Sequence, residues 1–177
     1  TDYEARHIRA TANVIIGANA GIAFVGCVEC LAANNLIYKP NSWTSRILQE
    51  TTTLDGVTFQ PSSYGVFENN IVVFESSIST LVNVGSNTAP DTFIYRNNIW
   101  YCIDNADYDY QSWRAELPGT EANNLRQFDP RIVGGDTGSI RLESGSPAVD
   151  AVLNYWIDSD FNSMCSPDDI GPMEYLP

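Results

Sequence analysis

Apolar and polar positions alternate along this chain in short runs and not in long amphipathic stretches. The uncharged segment 10–28 divides into two β-branched runs, residues 14–16 and 22–25, separated by a Gly-Ala-Asn-Ala-Gly turn. Short apolar runs bounded by Gly and Asn are typical of β-strands. The segment is long enough to cross a membrane, but its glycines and asparagines favour two strands and predict no membrane span.

A pair of asparagines followed by an aliphatic residue recurs along the chain. The second asparagines are Asn35, Asn70, Asn98 and, in a degraded copy, Asn124, at spacings of 35, 28 and 26 residues. Asparagine tolerates the left-handed backbone of a sharp bend, and its amide can hydrogen-bond to the same amide in a neighbouring copy. Such bends between short strands predict a parallel β-solenoid, whose coils cover their apolar faces by stacking.

The rival architecture is an antiparallel sandwich, whose hairpins favour Asn-Gly turns, and the chain contains no Asn-Gly. In the solenoid register, Leu36, Ile71 and Ile99 are expected to form an aliphatic ladder that points inward. Because successive side chains alternate between faces, the outward set is expected to be Ile37, Val72 and Trp100, together with Ala33, Glu68 and Arg96. Glu68 and Arg96 should then pair across neighbouring coils, and an exposed pair of this kind contributes only a few tenths of a kcal/mol.

The net charge of the chain limits the classes of partner that it can bind. The 177 residues contain 9 Lys and Arg against 22 Asp and Glu, and the net charge is −13. Nucleic acids and anionic lipids are held by Lys and Arg, and Lys39 is the single lysine. We therefore expect no nucleic-acid partner. The length and the 44% apolar content fit one folded domain.

The four cysteines, Cys27, Cys30, Cys102 and Cys165, allow three pairings. In an extended strand Cys27 and Cys30 would point to opposite faces, so a bridge between them needs an intervening turn. Their spacing also resembles half a zinc site, but His7 is the single histidine. Buried thiols or the structural disulfides of a secreted protein are the favoured interpretation.

Over most of its length, and most specifically in its C-terminal segments, the chain resembles the C-terminal ends of right-handed parallel β-helix proteins of the pectate-lyase-like superfamily. The resemblance is carried in order by Phe-Asp-Pro-Arg-Ile-Val at 128–133, by Ile-Arg-Leu-Glu-Ser-Gly-Ser-Pro-Ala-Val-Asp-Ala at 140–151 and by Asp-Ile-Gly-Pro-Met-Glu-Tyr at 169–175. It departs from the usual pattern at Ser163, where a Gly is common, and lacks the Arg that commonly follows. The resemblance implies an all-β, right-handed parallel β-helix, an extracellular location and a polysaccharide ligand.

The expected domain is single, with β-helix coils over residues 1–125 and an irregular C-terminal capping segment over 126–177. A short capping helix is expected between Tyr108 and Leu117, with Asp109 as its N-cap. The first coil lacks the amphipathic helix that would cover its open edge. We therefore expect that the chain is the C-terminal part of a longer protein, or that another polypeptide covers this coil.

An aromatic and acidic cluster follows the third repeat. Flat rings stack on pyranose faces and carboxylates accept hydroxyl hydrogen bonds, so the candidate carbohydrate-binding residues are Trp100, Tyr108, Tyr110, Asp104 and Asp107. Packing is the alternative role of these rings, and Trp113 is expected to anchor the capping helix.

Oxygen ligands alternate in the acidic tail as they do in calcium loops. The candidate metal ligands are Asp158, Asp160, Asn162 and Asp168, with calcium as the possible cofactor. The alternative is that these acids cap turns. The segment lacks the Gly and the bidentate Glu of an EF-hand loop.

The resemblance implies polyuronate-lyase chemistry if the chain is catalytic, with a Lys or Arg base beside calcium. Lys39 and Arg96 are the candidates near the repeat strands, and a loop role and a pair with Glu68 are favoured for them. Asp91 and Asp104 are the acids for a hydrolase pair, and surface roles are favoured. No catalytic residue is assigned, and catalytic coils are expected outside this chain. The alternative function is a structural or adhesive β-solenoid that assembles with other protein chains.

Overall fold

The computed structural model describes residues 2–108, 117–135, 140–152 and 169–173. These residues form short β-strands that wind into a right-handed parallel β-helix of about four turns. The fold class predicted from the asparagine repeat is confirmed. The one described helical element is a 3₁₀ turn at Pro90–Thr92.

Three parallel sheets form the walls of the helix. Sheet A consists of β2 (Arg9–Thr11), β6 (Leu31–Ala33), β11 (Val66–Glu68), β14 (Ile94–Arg96) and β16 (Thr120–Ala122). Sheet B consists of β3 (Val14–Ile16), β7 (Leu36–Tyr38), β12 (Ile71–Phe74), β15 (Ile99–Cys102) and β17 (Leu125–Arg126). Sheet C consists of β4 (Ala20–Val25), β8 (Trp43–Leu48) and β13 (Val82–Val84).

Three smaller pairings complete the described strands. β1 (Ala5–Arg6) pairs in parallel with β5 (Cys27–Val28). β9 (Thr53–Leu54) with β10 (Val57–Thr58), and β18 (Ile132–Val133) with β19 (Arg141–Leu142), are antiparallel. We call β2 and β3 the first coil and β16 and β17 the last coil.

The bend between sheets A and B is built by the asparagine pairs. The first member of each pair has a left-handed backbone, with φ of +54° at Asn34, +53° at Asn69, +52° at Asn97 and +53° at Asn123. In the first coil Ala12 holds this position with φ of +55°. The sequence repeat missed the first coil because Ala12 replaces the first asparagine of the pair.

The second member of each pair forms a continuous side-chain ladder. The Nδ2 of Asn35 donates to Oδ1 of Asn70 at 2.9 Å, Asn70 donates to Asn98 at 3.0 Å, and Asn98 donates to Asn124 at 3.0 Å. Asn13 extends the ladder to the first coil by donating to Asn35 at 2.8 Å. The predicted stacking of Asn35, Asn70 and Asn98 is confirmed, and the amides are satisfied within the bend itself.

The interior of the helix holds three residues of sheet B that the sequence placed outside. One buried cluster unites all three sheets, with Ile37, Val72 and Trp100 from sheet B, Phe67 and Tyr95 from sheet A, and Phe24 and Ile47 from sheet C. The prediction that Ile37, Val72 and Trp100 face outward is therefore wrong.

Leu36, Ile71 and Ile99 do stack in register, but they lie on the outer face of sheet B. A second buried cluster joins them to Leu142, Ala148, Ile170 and Met173 of the C-terminal segment. In the central strands of sheet B, β7, β12 and β15, both faces are largely buried and every residue is apolar, so alternation cannot distinguish inside from outside.

The C-terminal segment is fixed to the asparagine bend by hydrogen bonds. The Gly171 N–H donates to the Asn69 carbonyl at 2.9 Å, and the Asn97 side-chain amide donates to the Ala151 carbonyl at 2.9 Å. The described parts of this segment thus cover the side of the helix at sheet B. The predicted capping helix and its N-cap Asp109 fall on residues 109–116, outside the described residues.

A disulfide joins Cys27 to Cys30, with 6.0 Å between the Cα atoms. Between them Glu29 adopts φ of +56°, which supplies the turn that the sequence required for this bridge. Cys102 is a buried free thiol, and Cys165 lies outside the described residues.

Candidate functional site

The structure buries the central residue of the predicted sugar-binding cluster. The Trp100 side chain is 0% exposed and stacks on the Phe67 ring at a centroid distance of 5.8 Å. Trp100 pairs in register with Val72 on the neighbouring coil. Its indole therefore packs inside the helix and presents no surface on which a sugar could stack.

The neighbouring candidates pack against, or hydrogen-bond to, residues of adjacent coils. The Tyr108 ring is partly buried and meets the Phe74 ring edge-on at 5.3 Å. The Asp104 carboxylate accepts the Ser76 N–H at 2.7 Å and the Ser76 hydroxyl at 2.9 Å. These hydrogen bonds from Ser76 lower the pKa of Asp104 below its ordinary value.

Asp107 is exposed, and its N–H donates to Asn105 Oδ1 at 3.1 Å. Sugar contacts by Tyr108, Asp104 and Asp107 stay a prediction. Tyr110 and Trp113 lie outside the described residues.

The predicted calcium ligands Asp158, Asp160, Asn162 and Asp168 also lie outside the described residues. Asp169, which follows them, is buried, and its Oδ1 accepts the Asp150 N–H at 2.7 Å. Within the described ranges no group of three or more His, Cys, Asp or Glu side chains could hold a metal ion. The calcium site stays a prediction.

A cleft of about 440 Å³ lies against the outer face of sheet A. Its polar lining comes from six residues on four successive coils: His7, Arg9, Glu29, Tyr64, Glu68 and Arg96. Arg9, Glu68 and Arg96 occupy strand positions that alternate with inward residues such as Phe67 and Tyr95, and so project outward. The sequence repeat placed Glu68 and Arg96 on this face but did not identify the cleft.

An ion pair joins two neighbouring coils in the cleft. Arg96 Nε donates to Glu68 Oε2 at 2.5 Å, with the Glu68 side chain 1% exposed and that of Arg96 33% exposed. The predicted pairing is confirmed. The Glu68 carboxylate is buried, however, so the few tenths of a kcal/mol expected for an exposed ion pair do not apply to it. Glu68 Oε1 is buried without a hydrogen-bond partner, so loss of Arg96 would leave a buried charge uncompensated.

A second bend, which precedes sheet A, forms the rim of the cleft. His7, Glu29 and Tyr64 occupy this bend on successive coils, with φ of +56°, +56° and +54°. The His7 N–H donates to the Val28 carbonyl and the Glu29 N–H to the Ser63 carbonyl, which holds the coils in register. An imidazole, a carboxylate and a phenol are therefore displayed side by side.

The rim carboxylate is held by two bases. Glu29 Oε2 accepts Arg6 Nε at 2.7 Å and lies 2.7 Å from His7 Nε2. The Arg6 guanidinium first, and His7 next, lower the pKa of Glu29. Tyr64 lies one coil further on and is 60% exposed, so its ring is available at the rim.

The cleft differs in charge from the chain as a whole. Arg9 and Arg96 oppose Glu29 and Glu68 in its lining, so these charges balance, whereas the whole chain carries −13. A surface with balanced charges on an acidic protein repels anionic groups less than the rest of that protein does. The sequence signal was the placement of Arg9 and Arg96 on strands that the register brings to one sheet face.

The chain matches no protein-family model, no curated protein and no solved structure. The fold alone therefore defines its class, which is that of parallel β-solenoids. In the part of the chain that the structure describes, no helix has the length and apolar character needed to cross a membrane.

Proposed function

We propose that this chain is an extracellular β-helix module that binds an acidic polysaccharide in the cleft on sheet A. The observation that carries the proposal is the concentration of arginines beside an exposed tyrosine in an otherwise acidic chain. The tail motifs that resemble the pectate-lyase-like superfamily support a carbohydrate ligand. The Cys27–Cys30 disulfide is compatible with an oxidising location.

The chemistry of the cleft suits a uronate. A guanidinium recognises a carboxylate through charge-assisted hydrogen bonds, which Arg9 and Arg96 can supply. The exposed ring of Tyr64 can stack on the apolar face of a pyranose. The volume of about 440 Å³ falls within the range of small-ligand sites and accommodates a short stretch of polymer.

Binding is the function that these residues support best. For lyase chemistry the proposal assigns no base, and catalytic coils outside this chain would have to supply one. A polyuronate lyase assay by the absorbance of unsaturated products distinguishes the two roles, because binding without product formation identifies a non-catalytic module.

Affinity for polygalacturonate tests the proposal. We expect Arg9→Gln to weaken binding about tenfold or more, since it removes one charge-assisted contact, and we expect Tyr64→Ala to weaken it on neutral and acidic polymers alike. Arg46→Gln is the matched control, because Arg46 lies on sheet C, where it bonds to Asn83 and stacks over Trp43. Equal loss in Arg9→Gln and Arg46→Gln, or no binding by the wild type, would refute the proposed site.

Calcium at Asp158, Asp160, Asn162 and Asp168 is part of the proposal. Titration calorimetry with calcium should give a heat of binding for the wild type that Asp160→Ala loses, because each carboxylate ligand contributes to affinity. Flat traces for both proteins would remove calcium from the account.

The second candidate function is assembly with other protein chains as a structural or adhesive β-solenoid. Among the strands that the structure describes, none pairs with the outer edge of the first or the last coil. Unpaired strand edges are templates for pairing, which favours this function.

A further inference from the structure

The asparagine ladder has a direction and ends differently at its two ends. In every step the N–H and Nδ2 of one asparagine donate to Oδ1 of the next, as in Asn98 to Asn124 at 2.9 and 3.0 Å. In the described part of the chain, Asn13 Oδ1 at the first coil accepts no hydrogen bond, and the Asn124 N–H at the last coil donates none. One end offers an acceptor and the other offers a donor.

The first coil has unpaired backbone groups beside this acceptor. The Leu36 N–H donates to the Asn13 carbonyl at 2.8 Å and the Gly17 N–H donates to the Tyr38 carbonyl at 3.0 Å. Because alternate peptide groups of a parallel strand face opposite neighbours, those of Val14 and Ile16 point away from the second coil. Among the described strands none pairs with β2 or β3 on that side.

The last coil presents the complementary edge. The Leu125 N–H donates to the Asn98 carbonyl at 2.8 Å, and the Thr120 N–H donates to the Phe93 carbonyl at 2.8 Å. The intervening peptide groups of Glu121 and Asn124 therefore point away from the preceding coil. The strands at the two edges run in the same direction. In each coil two residues form the bend between the strand of sheet A and the strand of sheet B.

Charge does not oppose contact between unlike ends, and apolar exposure at the first coil favours it. The strands of the last coil carry one acid and one base, Glu121 and Arg126, and residues 1–28 contain two acids and two arginines. A last coil against a first coil therefore brings together two ends without net charge, and no charge repulsion opposes the contact. The first coil also exposes Ile8, Val14 and Ile16, which a docked coil would cover.

We propose that the last coil of one copy docks on the first coil of a second copy and continues the asparagine ladder, with Asn124 donating to the second copy's Asn13. The inference is independent of polysaccharide binding. A head-to-tail contact of this kind does not close on itself, so it produces linear assemblies that lengthen with concentration.

Sedimentation velocity of the whole chain over a concentration series tests the proposal. Wild-type protein should shift to larger species as concentration rises, and Val14→Pro should stay monomeric, because proline removes an N–H that faces only the edge. Ile16→Pro tests the same edge if Val14→Pro does not fold. Leu54→Pro, on an exposed hairpin outside the three stacked sheets, should assemble as the wild type does.

An experiment in which Val14→Pro is mixed with the wild type tests whether the contact joins unlike ends. Val14→Pro retains an intact last coil, so a small fraction of it should cap wild-type assemblies and shorten them. A wild type that is monomeric at every concentration would overturn the proposal. So would a closed dimer that added Val14→Pro leaves unchanged, since that result indicates contact between two first coils.

Discussion

At the scale of single residues, the asparagine ladder combines two tasks that no other side chain combines as well. The first asparagine of each pair takes the left-handed backbone of the bend, and the side chain of the second bonds to peptide groups of the preceding coil. Asn70 is fully buried, and its side chain bonds to Asn35, Asn98 and the Ala32 carbonyl. Each central asparagine therefore stabilises its neighbours as well as its own bend.

We predict that Asn70→Ala lowers the free energy of unfolding by about 3 kcal/mol or more, because it leaves buried donors of Asn35 without an acceptor. Asn13→Ala is the matched control at the exposed end of the ladder, where Oδ1 serves no other coil. It should cost about 1 kcal/mol. Urea denaturation of the two variants measures the difference, and equal losses would show that the ladder does not stabilise the interior.

A buried thiol gives a second test at this scale. Burial, together with the nearby Asp104 carboxylate, raises the pKa of Cys102 to about 12. Since the thiolate is the reactive form, we predict that Cys102 resists alkylation at about pH 8 in the folded protein and reacts on unfolding. The experiment uses a Cys165→Ser background so that one free thiol reports. Rapid alkylation of the folded protein would show that this side chain is accessible.

At the scale of strands and sheets, the sequence correctly predicted which residues of neighbouring strands lie side by side. It did not correctly predict which face of sheet B points into the helix. The repeat aligned Leu36, Ile71 and Ile99 because asparagine is required at a common bend. It could not tell which face is interior, because a strand such as Ile71–Phe74 is buried on both sides. The outer face of sheet B is apolar because the C-terminal segment packs on it. That contact joins residues far apart in sequence, so a local pattern does not reveal it.

The cleft was missed for a related reason. Arg9 and Glu68 are far apart in sequence, and the short repeat that contains Arg9 lacks the asparagine pair that marks the other coils. Aromatic clustering pointed instead to Trp100, whose neighbourhood in sequence is polar but whose position in the coil is interior. Local composition is a poor guide where the register decides exposure.

Docking of the C-terminal segment on sheet B can be tested at one glycine. A Cβ at Gly171 would lie 2.7 Å from Ile71 Cδ1, and the residue has φ of +92°. We predict that Gly171→Ala lowers stability by about 2 kcal/mol or more, through overpacking added to backbone strain, and that it makes the C-terminal segment sensitive to limited proteolysis.

Gly17→Ala separates the two effects, because Gly17 has φ of +62° but no atom within 4 Å of the added Cβ. It should show the backbone strain alone, about 1 kcal/mol, without new cleavage in the C-terminal segment. A Gly171→Ala protein that resists proteolysis as the wild type does would contradict the packing of this segment on Ile71.

At the scale of the whole molecule, the chain is a helix of coils with two apolar cores, one inside the coils and one between sheet B and the C-terminal segment. On one sheet the helix displays a cleft in which arginines and glutamates balance. Among the described strands, none pairs with the outer edge of the first or the last coil. Ligand binding on the side and assembly through the ends are therefore compatible with each other.

The central claim is that the coils stack in parallel through their asparagine amides, and nuclear magnetic resonance of the labelled protein tests it most directly. The account predicts slowly exchanging side-chain amide protons on Asn35 and Asn70, with cross-relaxation from Asn35 to Asn70 and from Asn70 to Asn98. Rapid exchange of these amides, or Hα to Hα cross-peaks of the antiparallel type between Ile71 and Ile99, would contradict it.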